Sequence, residues 1–453
     1  MEMTWGRFVV ILLFLLMTLG TGVGAVQEDI PDSRTGAVER YLDQRAREFA
    51  FSGAVLVMRD GQVLLKRAYG QASRELGVAN TVRTRMRIAS LTKPFTAMAI
   101  VKLAQQNRLE YDDRVCVYLP QCPEAWTEIT LRHLLQHTSG IPGLFGEMKA
   151  VPVEDTAAEF ERVLAAHGMN SSLASAPGES YAYSNYGYAV LGYVIEKASG
   201  ETFPDALQKL VLGPLNLTDT VYDDPRPLIG QRAAGYNIKG GRVVNTSRKD
   251  PAGYAAGGLL STIDDLSKWL AAVFYSDFVS PEQKQDLFEA PQGYGFGWAL
   301  RQRLGRSQFN HTGSTFGFSS FFGHYPDEAI SVAVLSNVEE TQVRAMACDI
   351  SAMVFGHDRV PFTGSVQASR DQLSELVGDY RSEDDTTYSI SLEDDGLHIR
   401  WRSNDLKMVP VSSTQYAWPD FEEVRVHAVR SAEGALDTIV LSQCGDRSVT
   451  AIR

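Results

Sequence analysis

The chain has 453 residues, enough for two or three domains, and its composition is typical of a globular protein, with 44% hydrophobic and 22% charged residues. The formal net charge of −12 argues against a nucleic-acid partner, because phosphate binding requires clustered Lys and Arg side chains. No Cys or His spacing matches a zinc signature. The sequence therefore predicts neither a metal site nor a cofactor.

Residues 1–25 have the features of a signal peptide. The segment from Phe8 to Leu19 is almost wholly apolar, Arg7 precedes it, and small residues follow it. This apolar run is shorter than the roughly 20 residues that a membrane-spanning helix needs. Glu2 weakens the positive charge ahead of the run, so an uncleaved anchor is the alternative. We expect a secreted or periplasmic protein that begins near Val26.

The segment from residue 26 to residue 360 is predicted to be a sheet domain split by a helical insertion. Hydrophobic periodicity and turn residues predict the following elements in chain order: a helix over 38–50, a hairpin over 54–65, a helix that begins near Ser90, mainly helices over about 111–274, strands at 297–302, 307–311, 318–325 and 330–335, and a helix over 341–355. The predicted fold class is α+β, an α/β sandwich whose sheet is assembled from both ends of the domain.

Residues 366–453 are predicted to form a second, smaller domain. Short strands at 389–392, 397–401, 407–411, 423–429 and 436–441 are separated by acidic and glycine-containing turns. This spacing favours a small antiparallel β-barrel or meander. No catalytic constellation is visible there, and packing, a lid beside the site or cell-wall contact are its candidate roles.

The spacing of the four cysteines leaves the disulfide pairing open. Cys116 and Cys122 are close enough in sequence for a local disulfide in an oxidising compartment, and two unpaired thiols are the alternative. Cys348 and Cys444 are far apart, and sequence alone assigns them no partner.

Ser90-Leu91-Thr92-Lys93 is the only place in the chain where a Lys follows a Ser at the third position. A serine hydroxyl is a poor nucleophile without a neighbouring base. On a helix, residues three apart share a face, so Lys93 can reach the Ser90 hydroxyl. Pro94 sits most easily in a first turn, which predicts that the helix begins near Ser90. The hydroxyl would then lie at the positive end of the helix dipole.

Two further triplets supply groups that acyl transfer requires. In Tyr183-Ser184-Asn185, the phenol can shuttle a proton to or from the serine, with its pKa lowered by the Lys93 charge, and the amide can orient Lys93 and bind a substrate carbonyl. His311-Thr312-Gly313 is predicted at the end of a strand, followed by Ser314. The N–H groups of Ser90 and Ser314 would form an oxyanion hole, and glycine at 313 would let a substrate approach the backbone.

Each motif taken alone has a structural interpretation. Ser90 is by default a helix N-cap, Tyr183 a core residue, and a lone His311 a hydrogen-bonded strand-end histidine. His133 and His137 are four residues apart, a spacing that on one helix face can mimic a metal pair. The combination of the motifs, in this order, favours catalysis.

Together these motifs resemble those of the serine β-lactamase and penicillin-binding superfamily, in its class C, DD-peptidase and esterase branch. The supporting segments are Leu131–Pro142, Ala256–Ser261 and Tyr294–Trp298, so that the resemblance covers about residues 50–355. The carboxy-terminal region resembles the small β-barrel often appended to this branch.

The resemblance implies that Ser90 is acylated, that Lys93 is its proton partner and that Tyr183 is the second base. The order of action of the two bases stays open. Asn185, His311, Thr312 and Gly313 would bind substrate. A histidine at 311 replaces the lysine of many β-lactamases, which should weaken attraction for a substrate carboxylate and favours a peptidase or esterase. No Glu can be assigned as a class A deacylating base. The resemblance also implies that His133 and His137 lie in a structural helix and turn and not at a metal.

The sequence thus predicts an exported serine hydrolase that acts on a small-molecule or peptide substrate, with D-Ala peptides, short-chain esters, β-lactams and peptidoglycan as candidates. A non-catalytic cell-wall peptide or penicillin-binding protein is the alternative. An α/β-hydrolase is disfavoured because the chain lacks a Gly-x-Ser-x-Gly motif.

Overall fold

A computed structural model describes residues 32–48, 51–142, 155–165, 172–246, 253–357, 359–362, 365–418, 421–444 and 448–453. The predicted signal peptide and the predicted start near Val26 lie outside these residues. The described helices are, in chain order, α1 (Asp32–Glu48), α2 (Thr92–Gln105), α3 (Leu131–Leu135), α4 (Thr156–Val163), α5 (Asn185–Ser199), α6 (Phe203–Leu207), α7 (Tyr254–Gly257), α8 (Ile263–Tyr275), α9 (Pro281–Phe288), α10 (Val343–Phe355) and α11 (Arg370–Ser374).

The strands fall into one large sheet, one barrel and three small sheets. In chain order they are β1 (Gly53–Arg59), β2 (Gln62–Tyr69), β3 (Gln71–Ser73), β4 (Val78–Ala79), β5 (Met86–Arg87), β6 (Val221–Tyr222), β7 (Tyr236–Lys239), β8 (Arg242–Asn245), β9 (Leu259–Ser261), β10 (Ala299–Arg303), β11 (Arg306–Thr315), β12 (Phe318–Tyr325), β13 (Ile330–Ser336), β14 (Gly378–Ser382), β15 (Thr387–Glu393), β16 (Gly396–Trp401), β17 (Asn404–Pro410), β18 (Gln415–Trp418), β19 (Phe421–Arg430), β20 (Leu436–Gln443) and β21 (Ser448–Ile452).

The large sheet is antiparallel, with strand order β10-β11-β12-β13-β1-β2. β1 pairs along its whole length with β13, so segments 271 to 283 residues apart in sequence become neighbours, Gly53 opposite Ser336 and Arg59 opposite Ile330. A Cβ on Gly53 would lie 1.9 Å from the carbonyl oxygen of Leu335, which explains the glycine at this position. The predicted split sheet is confirmed.

Helices cover both faces of this sheet. On one face α1 and α10 pack with the sheet around a buried cluster that includes Leu42, Val55, Val334 and Ile350. On the other face α2, α5 and α8 form the larger core, in which α2 is buried from Thr92 to Val101. Helix α2 is therefore held between the sheet and the helical insertion, and the predicted α+β class is confirmed.

The helical insertion is less uniform than predicted. Helices α3 to α8 lie in it, but so do β6, β7, β8 and β9. β9 pairs with β5 and β6, which brings Leu260 opposite both Arg87 and Val221. Strands of two to four residues do not produce a measurable periodicity, which is why sequence reasoning missed them.

The carboxy-terminal strands β14 to β21 form a closed antiparallel barrel in sequential order. Five of its strands match the predicted ones, and β14, β18 and β21 complete the closure. Its interior is lined by alternating residues such as Ile390, Ile399, Val426 and Ile439. The predicted antiparallel barrel is confirmed.

Two contacts join the barrel to α10. The first contact is a disulfide between Cys348 on α10 and Cys444 after β20. Another disulfide, Cys116–Cys122, lies outside both elements. The fully buried carboxylate of Asp349 accepts a hydrogen bond from Nε of Arg359 at 2.7 Å and pairs with Nη2 of Arg425 at 3.4 Å. A buried ion pair of this kind orients the two parts because misplacing either partner would leave a charge unpaired.

Within the described helices, no segment combines the length and the apolar character that a bilayer crossing requires.

Candidate active site

Ser90 lies in a single 3-10 turn, Ala89–Leu91, which leads directly into α2. Pro94 occupies the first turn of α2, where its missing N–H costs no hydrogen bond, as predicted. Ala89 adopts a φ of 47°, in the left-handed region that non-glycine residues seldom occupy. Such local strain is often found where a fold presents a reactive side chain. The turn places the Ser90 hydroxyl at the amino end of the helix.

The Lys93 side chain is completely buried and reaches three oxygen atoms. Its Nζ lies 3.1 Å from Oγ of Ser90, 2.7 Å from Oδ1 of Asn185 and 2.8 Å from the backbone carbonyl oxygen of Ala256. The structure therefore contains both predicted contacts of Lys93, one with Ser90 and one with Asn185. The Ala256 carbonyl was not anticipated.

The Ala256 carbonyl is held in place because α7 is clamped onto α2. Oγ1 of Thr96 donates to the Ala255 carbonyl at 2.6 Å, and Leu259 donates its N–H to Oγ1 of Thr92 at 3.2 Å. The motif 256–261 thus contributes to the site through a backbone carbonyl rather than through a side chain.

Burial lowers the pKa of Lys93 well below its ordinary value, since the charged ammonium loses its hydration. No carboxylate among the described residues opposes this effect. Two aromatic rings, those of Tyr183 and Tyr188, lie 4.8 Å and 5.6 Å from Nζ. Desolvation is the dominant effect and shifts Lys93 toward the neutral amine, against the weaker attraction of these ring faces for a cation.

Tyr183 lies beside Lys93 and hydrogen-bonds the Ser90 side chain. The residue is 40% exposed, but its hydroxyl end is enclosed, and burial raises the pKa of the phenol. The predicted lowering of this pKa by the Lys93 charge is wrong. The reason is that Lys93 itself is driven toward the neutral form, so that desolvation dominates at both groups. Tyr183 is consequently a phenol and not a phenolate at neutral pH.

His137 holds the backbone on both sides of Tyr183. Its carbonyl oxygen accepts the N–H of Ala182 at 2.8 Å, and its Nδ1 accepts the N–H of Ser184 at 3.2 Å. The two rings of His137 and Tyr183 lie 4.4 Å apart. His133 instead accepts the N–H of Thr130 at 3.2 Å in a capping box. The structural interpretation of both histidines accounts for these contacts.

The third motif lies on β11, and the geometry of its hairpin with β10 determines which way its backbone faces. Leu304 and Gly305 form the turn, both with positive φ (54° and 74°), as in a type I′ hairpin. The pair that closes such a turn, Arg303 with Arg306, exchanges backbone hydrogen bonds, and bonded pairs recur at every second residue. Even-numbered residues of β11 therefore direct their N–H and C=O groups toward the β10 side.

β10 begins at Ala299, opposite Asn310, and pairs with no residue of β11 beyond that point, whereas β11 continues to Thr315. Thr312 and Ser314 consequently direct their backbone groups to an edge that no described strand covers. Ser314 is also exposed to solvent. This open edge has the geometry for adding an extended ligand by backbone pairing.

Gly313 is the point where β11 touches the Ser90 turn. A Cβ at this position would lie 2.2 Å from the carbonyl oxygen of Ile88, 2.4 Å from Oγ of Ser320 and 3.2 Å from Cβ of Ala89. Oγ of Ser320 donates to the Ile88 carbonyl at 2.8 Å and so ties the strand to the turn. Only glycine allows the open edge to approach Ser90 this closely.

His311 is buried and neutral. Its Nδ1 lies 2.7 Å from the Thr312 carbonyl, which can only accept, so Nδ1 carries the proton and Nε2 accepts the hydroxyl of Tyr294 at 2.9 Å. Burial, followed by the charge of Lys93, lowers the pKa of His311 to about 3. His311 therefore provides no positive charge at neutral pH, in agreement with the prediction made from its residue type.

The contacts described above bring the predicted site residues together, with Thr312 and Ser314 on the strand that Gly313 holds against the Ser90 turn. The residues of this group are Ser90, Lys93, Tyr183, Asn185, His311, Thr312, Gly313 and Ser314. Sequence reasoning missed the Ala256 carbonyl and the contacts of His137 and Tyr294. The supporting motifs 131–142, 256–261 and 294–298 contained all three residues, but they gave no indication of what each residue does.

The comparisons with known proteins agree with this geometry. Residues 38–352 match the model of the Beta-lactamase family. Penicillin-binding protein 4* of Bacillus subtilis strain 168 is 28% identical over 414 residues, or 84% of this chain and 90% of that protein. The octameric penicillin-binding protein homologue from Pyrococcus abyssi superposes with a TM-score of 0.66 at 25% identity, over 92% of this chain and 99% of that chain.

D-amino acid amidase from Ochrobactrum anthropi SV3, solved with D-phenylalanine, is 21% identical and has a TM-score of 0.58, over 72% of this chain and 98% of that chain. At this identity the likeness concerns the fold alone. The family match spans more than two thirds of the chain, and the chain belongs to the beta-lactamase family of serine hydrolases.

Proposed function

We propose that this protein is an exported serine hydrolase that forms an acyl-enzyme on Ser90 and releases the acyl group to water. The observation that carries the proposal is the position of the Lys93 amine, which lies between Oγ of Ser90, Oδ1 of Asn185 and the Ala256 carbonyl. The proposal of export rests on the apolar leader in the sequence.

Lys93 acts as the first base in this proposal. A neutral amine has two N–H donors and one lone pair. The Ala256 carbonyl can only accept, and Oδ1 of Asn185 likewise only accepts, so the two N–H groups are used there. In this proposal the lone pair of the neutral amine faces Oγ of Ser90, 3.1 Å away, and accepts the hydroxyl proton. Tyr183, whose phenol keeps its proton, is poorly suited to take the first proton.

The reaction then proceeds in two balanced halves. Oγ of Ser90 attacks the substrate carbonyl as its proton passes to Nζ of Lys93, and the N–H groups of Ser90 and Ser314 stabilise the oxyanion. Each such donor is typically worth about 2.7–4 kcal/mol in the transition state. The leaving group receives the Tyr183 proton as the carbon–leaving group bond breaks, and Lys93 reprotonates the phenol. Water, deprotonated by the same groups, hydrolyses the ester on Ser90.

The substrate is an amide or an ester, with D-Ala peptides, short-chain esters and β-lactams as the classes to be tested. One relative is by name a penicillin-binding protein, which supports a β-lactam or a related amide as the substrate class. No described carboxylate acts on the pKa of Lys93 or Tyr183, which is consistent with a site that does not use a class A type glutamate base.

An active-site label tests the nucleophile. A fluorophosphonate should phosphonylate the wild type at residue 90, with loss of fluoride, and should leave Ser90→Ala unmodified, as read by intact-protein mass spectrometry. Ser307→Ala is the matched control, since Ser307 lies on the same strand as the third motif but at the hairpin end, bonded to Gln302. Equal labelling of wild type and Ser90→Ala would refute the assignment.

Turnover separates the hydrolase from the non-catalytic alternative. A D-alanyl-D-alanine peptide, a nitrophenyl ester and a cephalosporin are supplied in large excess over the enzyme. A hydrolase releases many equivalents of product from at least one of them, whereas a penicillin-binding protein without deacylation releases at most one. The ranking of the three rates also identifies the substrate class.

A further inference from the structure

Glu196 is a buried carboxylate of the helical insertion that neither the motifs nor the proposed mechanism uses. It lies in the last turn of α5 and is 7% exposed. Its Oε1 accepts hydrogen bonds from the first residues of three helices: Oγ1 of Thr156 in α4 at 2.6 Å, the N–H of Phe203 in α6 at 3.1 Å and the hydroxyl of Tyr254 in α7 at 2.7 Å. Burial of a carboxylate costs free energy that such donors offset, so three helix ends are tied to one oxygen.

The bond from Tyr254 is the one that leads to the active site. Tyr254 precedes by two residues Ala256, whose carbonyl oxygen lies 2.8 Å from Nζ of Lys93. Tyr254 has a φ of 41°, in the left-handed region that a bulky residue rarely adopts. Such a conformation persists only where the surrounding structure imposes it. The hydrogen bond to Glu196 is one of these restraints, because it fixes the side chain of the strained residue.

One stripe of α5 serves both Lys93 and α7. Its members are spaced three or four residues apart and so share a helix face. They are Asn185, Tyr188, Gly192 and Glu196. The first two contact Lys93, and the last binds Tyr254. A Cβ on the glycine between them would lie 2.4 Å from Cβ of Ala255, so α5 and α7 approach closely here.

Helix α7 is thus restrained on two sides. Thr92 and Thr96 hold it from α2 through the N–H of Leu259 and the carbonyl of Ala255. Glu196 holds it from α5. Without the second restraint, α7 is free to tilt about the first. The Ala256 carbonyl would then lose its direction toward Lys93, and a hydrogen bond weakens steeply as its angle closes.

We propose that Glu196 is a positioning residue that acts through Tyr254 to keep the Ala256 carbonyl aligned with Nζ of Lys93. The inference rests on the proposed function, because it takes Lys93 as the base that activates Ser90. The aligned carbonyl occupies one N–H of the amine and so directs the lone pair to Ser90. It also accepts a stronger hydrogen bond from the ammonium that proton transfer produces.

The test removes the Tyr254 hydroxyl and leaves its ring, which packs against that of Phe203 at 5.2 Å. Tyr254→Phe should lower kcat for a nitrophenyl ester by about 10- to 100-fold with little change in KM, as for a misdirected catalytic group. An ammonium that loses an acceptor is destabilised more than the neutral amine, so the lowered pKa of Lys93 should fall further. The acid limb of kcat/KM should therefore move to lower pH by about 0.5–1 unit.

The titratable groups near Lys93 do not explain such a shift. They are Tyr183, Tyr188, His137 and His311. Burial raises the pKa of each tyrosine and lowers that of each histidine, so all four are neutral at neutral pH. Tyr254→Phe leaves all four side chains in place, and the shift is therefore assigned to Lys93.

Tyr193→Phe is the matched control. Tyr193 is a fully buried tyrosine on α5, and its hydroxyl donates to another glutamate, Glu161 of α4. Denaturant unfolding should show a similar loss of stability in the two tyrosine variants, but Tyr193→Phe should keep the wild-type kcat and acid limb. Glu196→Gln keeps an acceptor oxygen and removes the charge, so its effects should have the same direction as those of Tyr254→Phe and be smaller. Identical kcat and acid limb in the two tyrosine variants would overturn the proposal.

A readout without turnover separates this inference from the proposed function. In protein labelled with 13Cε-lysine, NMR follows the titration of Lys93, whose signal is assigned by its loss in Lys93→Met. If the wild type hydrolyses nothing but Tyr254→Phe still lowers this pKa and Tyr193→Phe does not, the hydrolase function fails while the positioning of Lys93 stands. If the wild type is active but the two variants give the same Lys93 pKa and the same kcat, the positioning role fails alone.

Discussion

Nδ1 of His137 accepts the backbone N–H of Ser184, and this bond holds the residue that follows Tyr183. Together with the bond from Ala182 to the His137 carbonyl, it fixes the backbone on both sides of the tyrosine. His137 itself has a φ of 57°. Burial and the charge of Lys93 lower the pKa of His137 well below its usual value, so the imidazole stays neutral and able to accept.

Replacement of His137 should therefore act through Tyr183. We expect His137→Phe, which keeps a ring but removes the acceptor, to lower kcat by roughly 100-fold with little change in KM, as for a small misplacement of a catalytic group. His137→Asn restores an acceptor and tolerates a left-handed φ, so it should recover much of kcat. Steady-state kinetics on a nitrophenyl ester give both constants. Equal kcat values for His137→Phe and wild type would contradict the positioning role.

The motifs made the Ser90 and Lys93 contact predictable, because residue spacing on a helix is a local property. The role of Ala256 was not predictable, since a backbone carbonyl has no residue-type signature. The direction of the Ser314 N–H depends on a hairpin register set by Leu304 and Gly305. Residue types alone do not show which alternate residues of β11 direct their backbone groups toward β10. The pKa of Tyr183 was predicted with the wrong sign because burial, which depends on the whole packing, outweighed a neighbouring charge.

The same limit applies to the longer-range structure. The hairpin of β1 and β2 follows from adjacent residues, and it was predicted. The pairing of Cys348 with Cys444 depends on where the barrel docks against α10, and the closure of the barrel depends on β14 meeting β21. Such contacts are set by tertiary packing and leave no periodic trace in the sequence.

The position of Asn185 beside Lys93 predicts a shift in the pH dependence of acylation. Lys93 is a base only when neutral, so kcat/KM should fall as the pH falls through its lowered pKa. Asn185→Asp places a carboxylate where the amide oxygen lies 2.7 Å from Nζ, which stabilises the ammonium and raises that pKa. The acid limb of the kcat/KM profile should move to higher pH by about 1–3 units.

Asn185→Ala is the control for this shift, because it removes the acceptor without adding a charge. The acylation rate of Asn185→Ala should fall, but the acid limb of its kcat/KM profile should not move to higher pH. The other groups near Lys93 are Ser90, the Ala256 carbonyl, the rings of Tyr183 and Tyr188, and the imidazoles of His137 and His311, none of which is charged at neutral pH. An unshifted acid limb in Asn185→Asp would mean that another group controls acylation.

Gly313 provides a steric test of the contact between β11 and the Ser90 turn. In Gly313→Ala the new methyl group would meet the Ile88 carbonyl at 2.2 Å, and the strand must move away from Ser90. We expect acylation to slow by roughly 100-fold, because oxyanion donors act only at close range. Gly230→Ala is the control, since nothing lies within 4 Å of a Cβ there. Stopped-flow measurement of the acylation rate distinguishes the two, and equal rates would exclude the predicted clash.

The two disulfides should contribute unequally to stability. Their cysteines are separated by 96 residues for Cys348–Cys444 and by 6 for Cys116–Cys122. In the chain-entropy description, the longer loop loses more freedom in the unfolded state, with contributions of about 4.7 and ~2.2 kcal/mol. Paired alanine substitutions at 348 and 444 should therefore lower the free energy of unfolding by about 2.5 kcal/mol more than those at 116 and 122.

Denaturant unfolding under non-reducing conditions measures this difference, and the slope with denaturant checks that each variant unfolds in one step. Asp349 still pairs with Arg359 and Arg425 when the long-range disulfide is absent, so the barrel should remain docked. The 348 and 444 variant should then keep its ester hydrolysis at 25 °C despite the lower stability. Equal destabilisation by the two pairs would mean that the disulfides act through local packing rather than through the length of chain they enclose.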